Sequence, residues 1–383
     1  MTAASSKSAL SWAVNLSVLA LVLLWLFPTV GLFVSSFRTA DQITASGWWS
    51  SMTSAEQIVQ LRTGGRDVAV EEGGVFVVEG NLLTDGEDAI GGVEITKFGV
   101  SSRDVSAFDV GQTAEFDEQT LTLNADGTYR YTSVEDPGRR GQRVFVTAVL
   151  PPDFTTDNYQ TILFSGSGQD NMAKAFFNTL TVTIPATIIP IVVAAFAAYA
   201  LAWMEFPGRA LLIAAVVGLL VVPLQLALIP LLQLHNNIGI GKGYLGVWLA
   251  HTGFGLPLAI YLLRNYMVGL PRDIIENARV DGATDFQIFT KIILPLSFPA
   301  LASFAIFQFL WTWNDLLVAK VFLIDSTGQT TVMTNQIVEL LGTRGGNWEI
   351  LATAAFVSIA VPLLVFFALQ RYLVRGLLAG SVK

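Results

Sequence analysis

The sequence predicts an α-helical polytopic membrane protein with six transmembrane helices and a mostly β domain inserted after the first helix. Of the 383 residues, 52% are hydrophobic and only 14% are charged, whereas about a quarter of a soluble domain is charged. The apolar residues fall into six long runs, and residues 39–170 differ by holding 21 acidic and 8 basic residues. We therefore expect an N-terminal segment 1–38, an insert 39–170 and a membrane core 171–383.

The six apolar runs are long enough to cross a membrane as helices. A hydrocarbon core of about 30 Å needs about 20 helical residues, and the runs cover residues 11–35, 176–203, 210–234, 244–263, 299–323 and 350–372. The first run is interpreted as a retained helix, because its apolar stretch from Trp12 to Val34 exceeds the h-region of a signal peptide.

The lysines and arginines between the runs predict the orientation. Six spans place both termini on one side, where the loops carry nine basic residues, against five in the short loops opposite. Cytoplasmic loops carry the excess of positive charge. We therefore expect both termini and the loop 270–298 in the cytoplasm, and the insert in the periplasm or outside.

The insert has the pattern of a β domain. Runs rich in β-branched and aromatic residues occur at 75–78, 121–124, 128–131 and 144–150, with turn-forming residues between them. Asp126-Gly127 predicts a hairpin turn. The acidic group Asp85, Glu87 and Asp88 lacks the spacing of a calcium loop, which favours a solvated loop. The insert either binds a soluble partner or serves as a stabilising cap, and the sequence favours neither.

Composition excludes several kinds of site. There is no cysteine, so there is no thiol chemistry or disulfide framework. The two histidines, His235 and His251, are interpreted as ordinary loop or interface residues. The acidic balance argues against nucleic acid, which needs a basic surface. Residues 239–246 contain glycines and a lysine but not the spacing of a phosphate-binding loop, so no ATP site is expected.

The loop 270–298 is predicted to form two short helices. Pro271 suits a first helical turn, Ile274 and Ala278 share one face, and Gly282 can adopt the positive φ that ends a helix. Composition and periodicity alone favour a helical hairpin lying on the membrane surface.

The second helix of this loop has its own start and end signals. Thr284 with Gln287 forms a capping box. Phe286, Phe289 and Ile293 fall at the spacing of one apolar face, and the prolines that follow end the helix.

Residue identities in this loop resemble the EAA loop of ABC-importer permeases. The pattern is Glu276-Asn277-Ala278, three residues, Gly282, nine residues, and then Ile292-x-Leu294-Pro295. Asn277 stands where the family usually has alanine, and the stretch 281–283 is similar to the sugar-importer version. The resemblance implies that these residues couple the chain to an ATPase subunit: Glu276, Asn277, Ala278, Asp281, Gly282, Ala283, Leu294 and Pro295.

Other stretches strengthen the resemblance. Phe177-Asn178-Thr179 is similar to the start of the family's second span, residues 222–232 to its third span, and residues 370–383 to the tail of the maltose-type permease. The likeness covers about 250 residues. The long insert after the first span resembles the α-glucoside branch.

The resemblance implies a type I ABC importer fold in a bacterial cytoplasmic (inner) membrane. The implied partners are a homologous second permease subunit, two ATPase subunits, an extracytoplasmic sugar-binding protein, the sugar and membrane lipid. ATP and magnesium belong to the ATPase, so this chain is not an enzyme and binds no cofactor or metal. Further contacts are implied for the tail (Gly376, Gly380, Lys383) and for a loop that reaches the binding protein (Leu341, Gly342, Arg344, Gly345, Gly346).

A set of polar and aromatic residues at membrane depth is a candidate sugar path: Gln225, Gln308, Trp311, Trp313 and Asn314. Tryptophan stacks on sugars and amides hydrogen-bond to them. The alternative is an interfacial aromatic belt with Asp315 paired at the membrane boundary.

Three other functions are alternatives to a sugar permease. A permease for another binding-protein-delivered solute differs only in its cargo. An ion-coupled secondary transporter would show ionisable residues in several spans, and these spans are almost free of charge. A membrane-embedded enzyme would need a clustered set of catalytic residues, which the sequence does not show.

Overall fold

The computed structural model describes residues 3–85, 93–164, 172–343 and 346–378. The chain forms two compact units, Met1–Asn158 with Asn347–Ala352, and Tyr159–Gly346 with Thr353–Lys383. The first unit contains the N-terminal helix and the strands, and the second is helical.

The first unit begins with the apolar helix α1 (Ala3–Ser35), which is followed by α2 (Ala40–Ala45) and a 3₁₀ turn (Trp48–Ser50). The side chains of residues 9–28 in α1 are all exposed, which suits a helix surrounded by lipid. Thr39 caps α2: its hydroxyl accepts from the Gln42 N–H, and the Gln42 side chain accepts from the Thr39 N–H.

Nine strands follow and pair into two antiparallel sheets. The sheet orders are β1-β9-β4-β5 and β2-β3-β8-β7-β6. The strands are β1 (Ala55–Arg62), β2 (Val70–Glu72), β3 (Val75–Asn81), β4 (Ile95–Gly99), β5 (Phe108–Asp109), β6 (Thr113–Phe116), β7 (Gln119–Leu123), β8 (Thr128–Ser133) and β9 (Arg143–Leu150).

The alternation of apolar and polar residues along the strands builds the core of this β domain. Inward-facing residues such as Val78, Phe98, Leu121 and Val146 are completely buried. All four sequence-predicted strands are present, and β7 and β8 pair as a hairpin with Gly127 at φ +84°. Glu87 and Asp88, from the acidic group considered for calcium, lie outside the described residues.

The two ends of the insert lie side by side. The Asn158 side-chain amide donates to the Ser36 and Arg38 carbonyl oxygens at 3.0 and 2.9 Å, and the Thr155 N–H donates to the Phe37 carbonyl at 2.8 Å. Arg38 is itself buried, and its guanidinium donates to the Ser46 carbonyl. Burial lowers the pKa of Arg38 from its ordinary value. These bonds close the domain where it begins and ends.

The helices that follow start with α3 (Asp157–Leu163) and include most of the apolar runs. They are α4 (Met172–Trp203), α5 (Arg209–Leu219), α6 (Leu224–Asn237), α7 (Tyr244–Val268), α8 (Arg272–Val280), α9 (Asp285–Ile288), α10 (Leu294–Leu296), α11 (Phe298–Trp313), α12 (Leu317–Phe322), α13 (Met333–Thr343) and α14 (Trp348–Leu378). Helices α4 and α7 pack along each other through small buried residues, among them Ala194, Ala198 and Ala259, which let the backbones approach closely.

Four helices of the described chain are long and apolar enough to cross a membrane: Ala9–Ser35, Met172–Trp203, Tyr244–Val268 and Trp348–Tyr372. Two further pairs pass only together, because each is bent: Arg209–Leu219 with Leu224–Asn237 by 111°, and Asp285–Leu296 with Phe298–Trp313 by 69°.

Two of the predicted spans therefore differ from the continuous helices that their composition suggests. The run 210–234 breaks before α6 at Pro223, which has no N–H to continue a helix. The run 299–323 breaks after Trp313, and the Asp315 carboxylate accepts the Ala319 N–H at 3.1 Å, which favours a new helix start.

Candidate functional site

The polar segment between α7 and α11 begins with α8. Pro271 precedes this helix as its N-cap, one position before the predicted first turn. Ile275 and Ala278 are its buried residues, whereas Ile274 is 40% exposed, so the predicted apolar pair Ile274–Ala278 is wrong at its first member. Residues three apart also share a helix face, and the pair at 275 and 278 faces the neighbouring helices.

A Schellman motif ends α8. The Ala283 N–H donates to the Ala278 carbonyl at 2.9 Å, and the Gly282 N–H donates to the Arg279 carbonyl at 3.0 Å. Gly282 has φ +81°, which confirms its predicted role as the helix stop. Ala283 packs against the same apolar cluster as Ala278, so the turn is held by contacts on both sides.

The capping box that starts α9 is confirmed. The Gln287 N–H donates to the Thr284 hydroxyl at 3.3 Å, and the Thr284 N–H donates to the Gln287 amide oxygen at 2.9 Å. The predicted apolar face is only partly right: Phe289 and Ile293 are buried, but Phe286 is 65% exposed.

A π-helical segment, Phe289–Ile293, follows α9. Its wider turn aligns residues five apart, so Ile288 joins Ile293 on the buried side. Leu294 and Pro295 follow in α10, where Leu294 is half-buried and Pro295 is exposed.

An apolar cluster anchors both short helices to α4 and α7. The Phe289 ring lies 4.7 Å from the Phe196 ring and 5.3 Å from the Tyr199 ring, measured between centroids. Ile275 and Ile293 belong to the same buried cluster as Leu263. Each fully buried side chain of this size stabilises the packing by about 1.5–3 kcal/mol. The polar segment is therefore fixed to the ends of the long helices.

A polar contact joins α4, α8 and α9, and only the opposite charges of Arg279 and Asp285 indicate it in the sequence. The Asp285 carboxylate accepts from the Tyr199 hydroxyl at 3.2 Å and from the Arg279 guanidinium at 3.3 Å. Arg279 also donates to the Trp203 carbonyl at 3.4 Å. The ion pair is about half exposed, so its contribution is about 1 kcal/mol or less. Its main effect is to fix the positions of α8 and α9 relative to α4.

The outer face of α8 is polar and exposed. Asp273, Glu276 and Asn277 are exposed, and Asp281 is exposed at the helix end. The arrangement therefore presents carboxylates outward on a helix whose opposite face is firmly packed.

The structure separates the residues predicted for a sugar path. Trp313 is 1% exposed and donates to the Ser358 carbonyl at 3.0 Å, and Gln308 is buried and donates to the Ala186 carbonyl at 3.1 Å. Gln225, Trp311 and Asn314 are exposed. Two of the five thus lie in the helix core and three lie on its surface.

A buried polar pair was missed by the sequence analysis. His251 Nε2 lies 3.7 Å from Asp315 Oδ2, and the His251 carbonyl accepts from Gln308 at 3.5 Å. His235 and His251 are both buried inside helices, so their interpretation as loop or interface residues is wrong. The apolar run around His251 could have indicated that this histidine is buried inside a helix. Within the described residues, no group of three His, Asp or Glu side chains could hold a metal ion.

The remaining candidate residues are only partly described. Leu341 and Gly342 lie in α13, so they are helical where an open loop was expected, and Gly346 is exposed. Gly376 lies in α14. Arg344, Gly345, Gly380 and Lys383 lie outside the described residues.

Comparison with known proteins shows the family to which this chain is similar. Residues 170–378 match the family described as binding-protein-dependent transport system inner membrane component. The chain is 60% identical over 386 residues to the alpha-glucoside transport system permease protein AglG of Rhizobium meliloti, covering 99% of both proteins.

Two other relatives match a smaller share of the chain. The osmoprotective compounds uptake permease protein GgtD of Synechocystis sp. is 58% identical over 230 residues, which is 60% of this chain and 76% of that protein. The trehalose transport system permease protein SugB of Mycobacterium tuberculosis is 36% identical over 240 residues, which is 61% of this chain and 84% of that protein. The chain therefore belongs to the binding-protein-dependent inner membrane components, the permease subunits of ABC importers, in which a separate subunit hydrolyses ATP.

Proposed function

We propose that this chain translocates an α-glucoside, a disaccharide or a short oligosaccharide, across the cytoplasmic membrane of a bacterium. The support for the cargo is the relative named as an alpha-glucoside permease, which is 60% identical over 99% of both chains. The alternative is another solute delivered by a binding protein, since a 58% identical relative is named for osmoprotective compounds.

The proposed topology counts each bent helix pair as one span, which makes six. Both termini and the loop 270–298 then face the cytoplasm, and the insert 39–170 lies outside, between the N-terminal segment 1–38 and the core 171–383. The excess of lysine and arginine on the terminal side supports this orientation.

The proposed coupling element is α8, and the observation that carries it is its two-sided character. One face is buried against α4 and α7 through Ile275 and Ala278, while Glu276 and Asn277 point outward. We assign Glu276 as the ion-pair partner of an ATPase subunit. A force applied to the outer face passes into the long helices, because packed side chains move together as a rigid body.

The other proposed contacts complete the transporter. A homologous second permease subunit shares the sugar path, the tail (Gly376, Gly380, Lys383) inserts between two ATPase subunits, and the segment 341–346 meets an extracytoplasmic sugar-binding protein. Gln225, Trp311 and Asn314 are the exposed candidates for contact with sugar. ATP and magnesium are held by the ATPase subunits.

Reconstitution tests the proposal. The chain is co-purified with its second permease and ATPase subunits, placed in proteoliposomes with the binding protein, and supplied with labelled sucrose, maltose or trehalose, with β-linked cellobiose as the control. We expect ATP-dependent uptake of an α-glucoside and little uptake of cellobiose. Uptake without ATP that follows an ion gradient, or uptake of none of these sugars, would overturn the assignment.

A further inference from the structure

One end of the β sandwich contains a cleft that no transport role explains. Its volume is about 780 Å³, within the range of small-molecule sites. The cleft lies where β1 ends at Arg62 and where β3 and β8 contribute Asn81 and Tyr129. Strands of both sheets therefore form its walls.

Two loops that pack backbone against backbone preform the cleft. The Thr63 N–H donates to the Gln142 carbonyl at 3.0 Å, and the Gln142 N–H donates to the Thr63 hydroxyl at 2.8 Å. The Arg66 N–H donates to the Gly138 carbonyl at 2.9 Å. A Cβ on Gly65 would lie 2.5 Å from the carbonyl oxygen of Arg139 in the facing loop. The wall is thus rigid and depends on glycine.

The charge of the cleft differs from that of the domain around it. Residues 39–170 carry 21 acidic and 8 basic residues, yet the cleft is lined by equal numbers of each: Arg62, Arg139, Arg140, Asp67, Glu79 and Asp85. Glu79 is paired with Arg130 at 3.2 Å. Within the described residues, the three cleft arginines and Asp67 take part in no ion pair.

Tyr129 supplies a hydroxyl at the floor of the cleft. Its side chain is 6% exposed, and its oxygen accepts the Gly64 N–H at 2.6 Å. Burial raises the pKa of Tyr129, so the hydroxyl keeps its proton at neutral pH and can donate it into the cleft. A rigid donor thus stands beside the unpaired guanidiniums.

We propose that this cleft binds a saccharide. Each sugar hydroxyl donates one hydrogen bond and accepts others, as Ser and Thr hydroxyls do, so a sugar uses guanidinium donors and carboxylate acceptors together. A simple anion would meet three carboxylates, and a cation would meet three guanidiniums. The choice of an α-glucoside as the sugar rests on the proposed function. The insert is then a second sugar-binding element of this chain.

The test measures binding of maltose and sucrose to the purified full-length chain in nanodiscs by calorimetry, without binding protein or ATPase. We expect saturable binding, and Arg139→Ala with Arg140→Ala should weaken it about ten-fold or more, because charge-assisted hydrogen bonds are lost. Both side chains are exposed, so folding should persist. Arg103→Ala, at an exposed position on another loop, is the matched control and should bind normally.

Three results would overturn the site: no sugar binding at millimolar concentration, unchanged affinity in the double variant, or tighter binding of inorganic phosphate or citrate than of sugar. A second variant, Tyr129→Phe, should also weaken binding, and its melting temperature is measured in parallel because the Gly64 N–H loses its acceptor. Failure of the site is distinguishable from failure of the transport role. Retained ATP-dependent uptake by the assembled transporter, together with no sugar binding by the chain alone, refutes only the cleft.

Discussion

Substitution of Gly282 tests whether the left-handed turn after α8 is needed to couple ATP hydrolysis to transport. Gly282 has φ +81°, a conformation that costs a residue with a Cβ about 1–2 kcal/mol. A Cβ there would meet no heavy atom within 4 Å, so Gly282→Ala adds backbone strain without a steric clash. That strain lowers the population of the native turn about 5- to 30-fold.

Proline at the same position should be far more damaging. It fixes φ near −65°, it removes the N–H that donates to Arg279 at 3.0 Å, and it disfavours the helical conformation of Asp281. Asparagine tolerates the left-handed region, so Gly282→Asn is the matched control. We expect uptake to fall in the order Gly, Asn, Ala, Pro, with all variants inserted in the membrane.

The assay is uptake of labelled sugar by proteoliposomes containing each variant with its partner subunits, expressed per ATP hydrolysed. Membrane levels and melting temperatures are measured in parallel, because a misfolded variant also fails to transport. Wild-type uptake by Gly282→Pro would refute the reasoning. Equal losses in Gly282→Asn and Gly282→Pro would show that bulk, rather than φ, matters at this turn.

Three further changes test other parts of the structure. Glu276→Lys reverses the charge on the outer face of α8 and should abolish co-purification of the ATPase, with Glu276→Gln intermediate; a lysine variant that still co-purifies contradicts the docking role. Asp315→Ala removes the acceptor of the Ala319 N–H and should lower stability by about 1 kcal/mol, measured as melting temperature, while Asp315→Asn recovers most of it; equal losses would indicate that the charge itself is required. Hydrogen bonds from Thr128 hold the pKa of Asp126 below its ordinary value of 3.8, so this stabilisation is present above that value and is lost as the pH falls below it. The melting-temperature difference between wild type and Asp126→Asn should therefore shrink below pH about 4, and a constant difference from pH 7 to pH 3 would contradict it.

Local signals in the sequence predicted local structure well. The β7–β8 hairpin, the capping box at Thr284 and the helix stop at Gly282 each depend on residues that are close in the chain and have restricted conformations. The motif around Glu276 identified the family because it fixes residue identities at several spacings. These predictions needed no knowledge of packing.

The wrong predictions have one physical cause. The helices that pack against a segment decide which of its residues are buried, and the local sequence does not specify those neighbours. Ile274 and Ile275 are adjacent, and only the position of α4 and α7 decides which is buried. The π-helical turn over Phe289–Ile293, which brings Ile288 and Ile293 to the same buried side, cannot be detected from a periodicity of 3.6 residues. His251 and Asp315 meet because two helices pack together. The sugar path stays a prediction, although Gln308 and Trp313 are buried among the helices.

The hydrogen bonds from Asn158 to the carbonyl oxygens of Ser36 and Arg38 hold the two ends of the insert together. When the first and last residues of a domain are neighbours, the chain can be rejoined across its base by a short linker at a small entropic cost. Removal of the insert therefore leaves a short gap for the chain to bridge at the base of the domain.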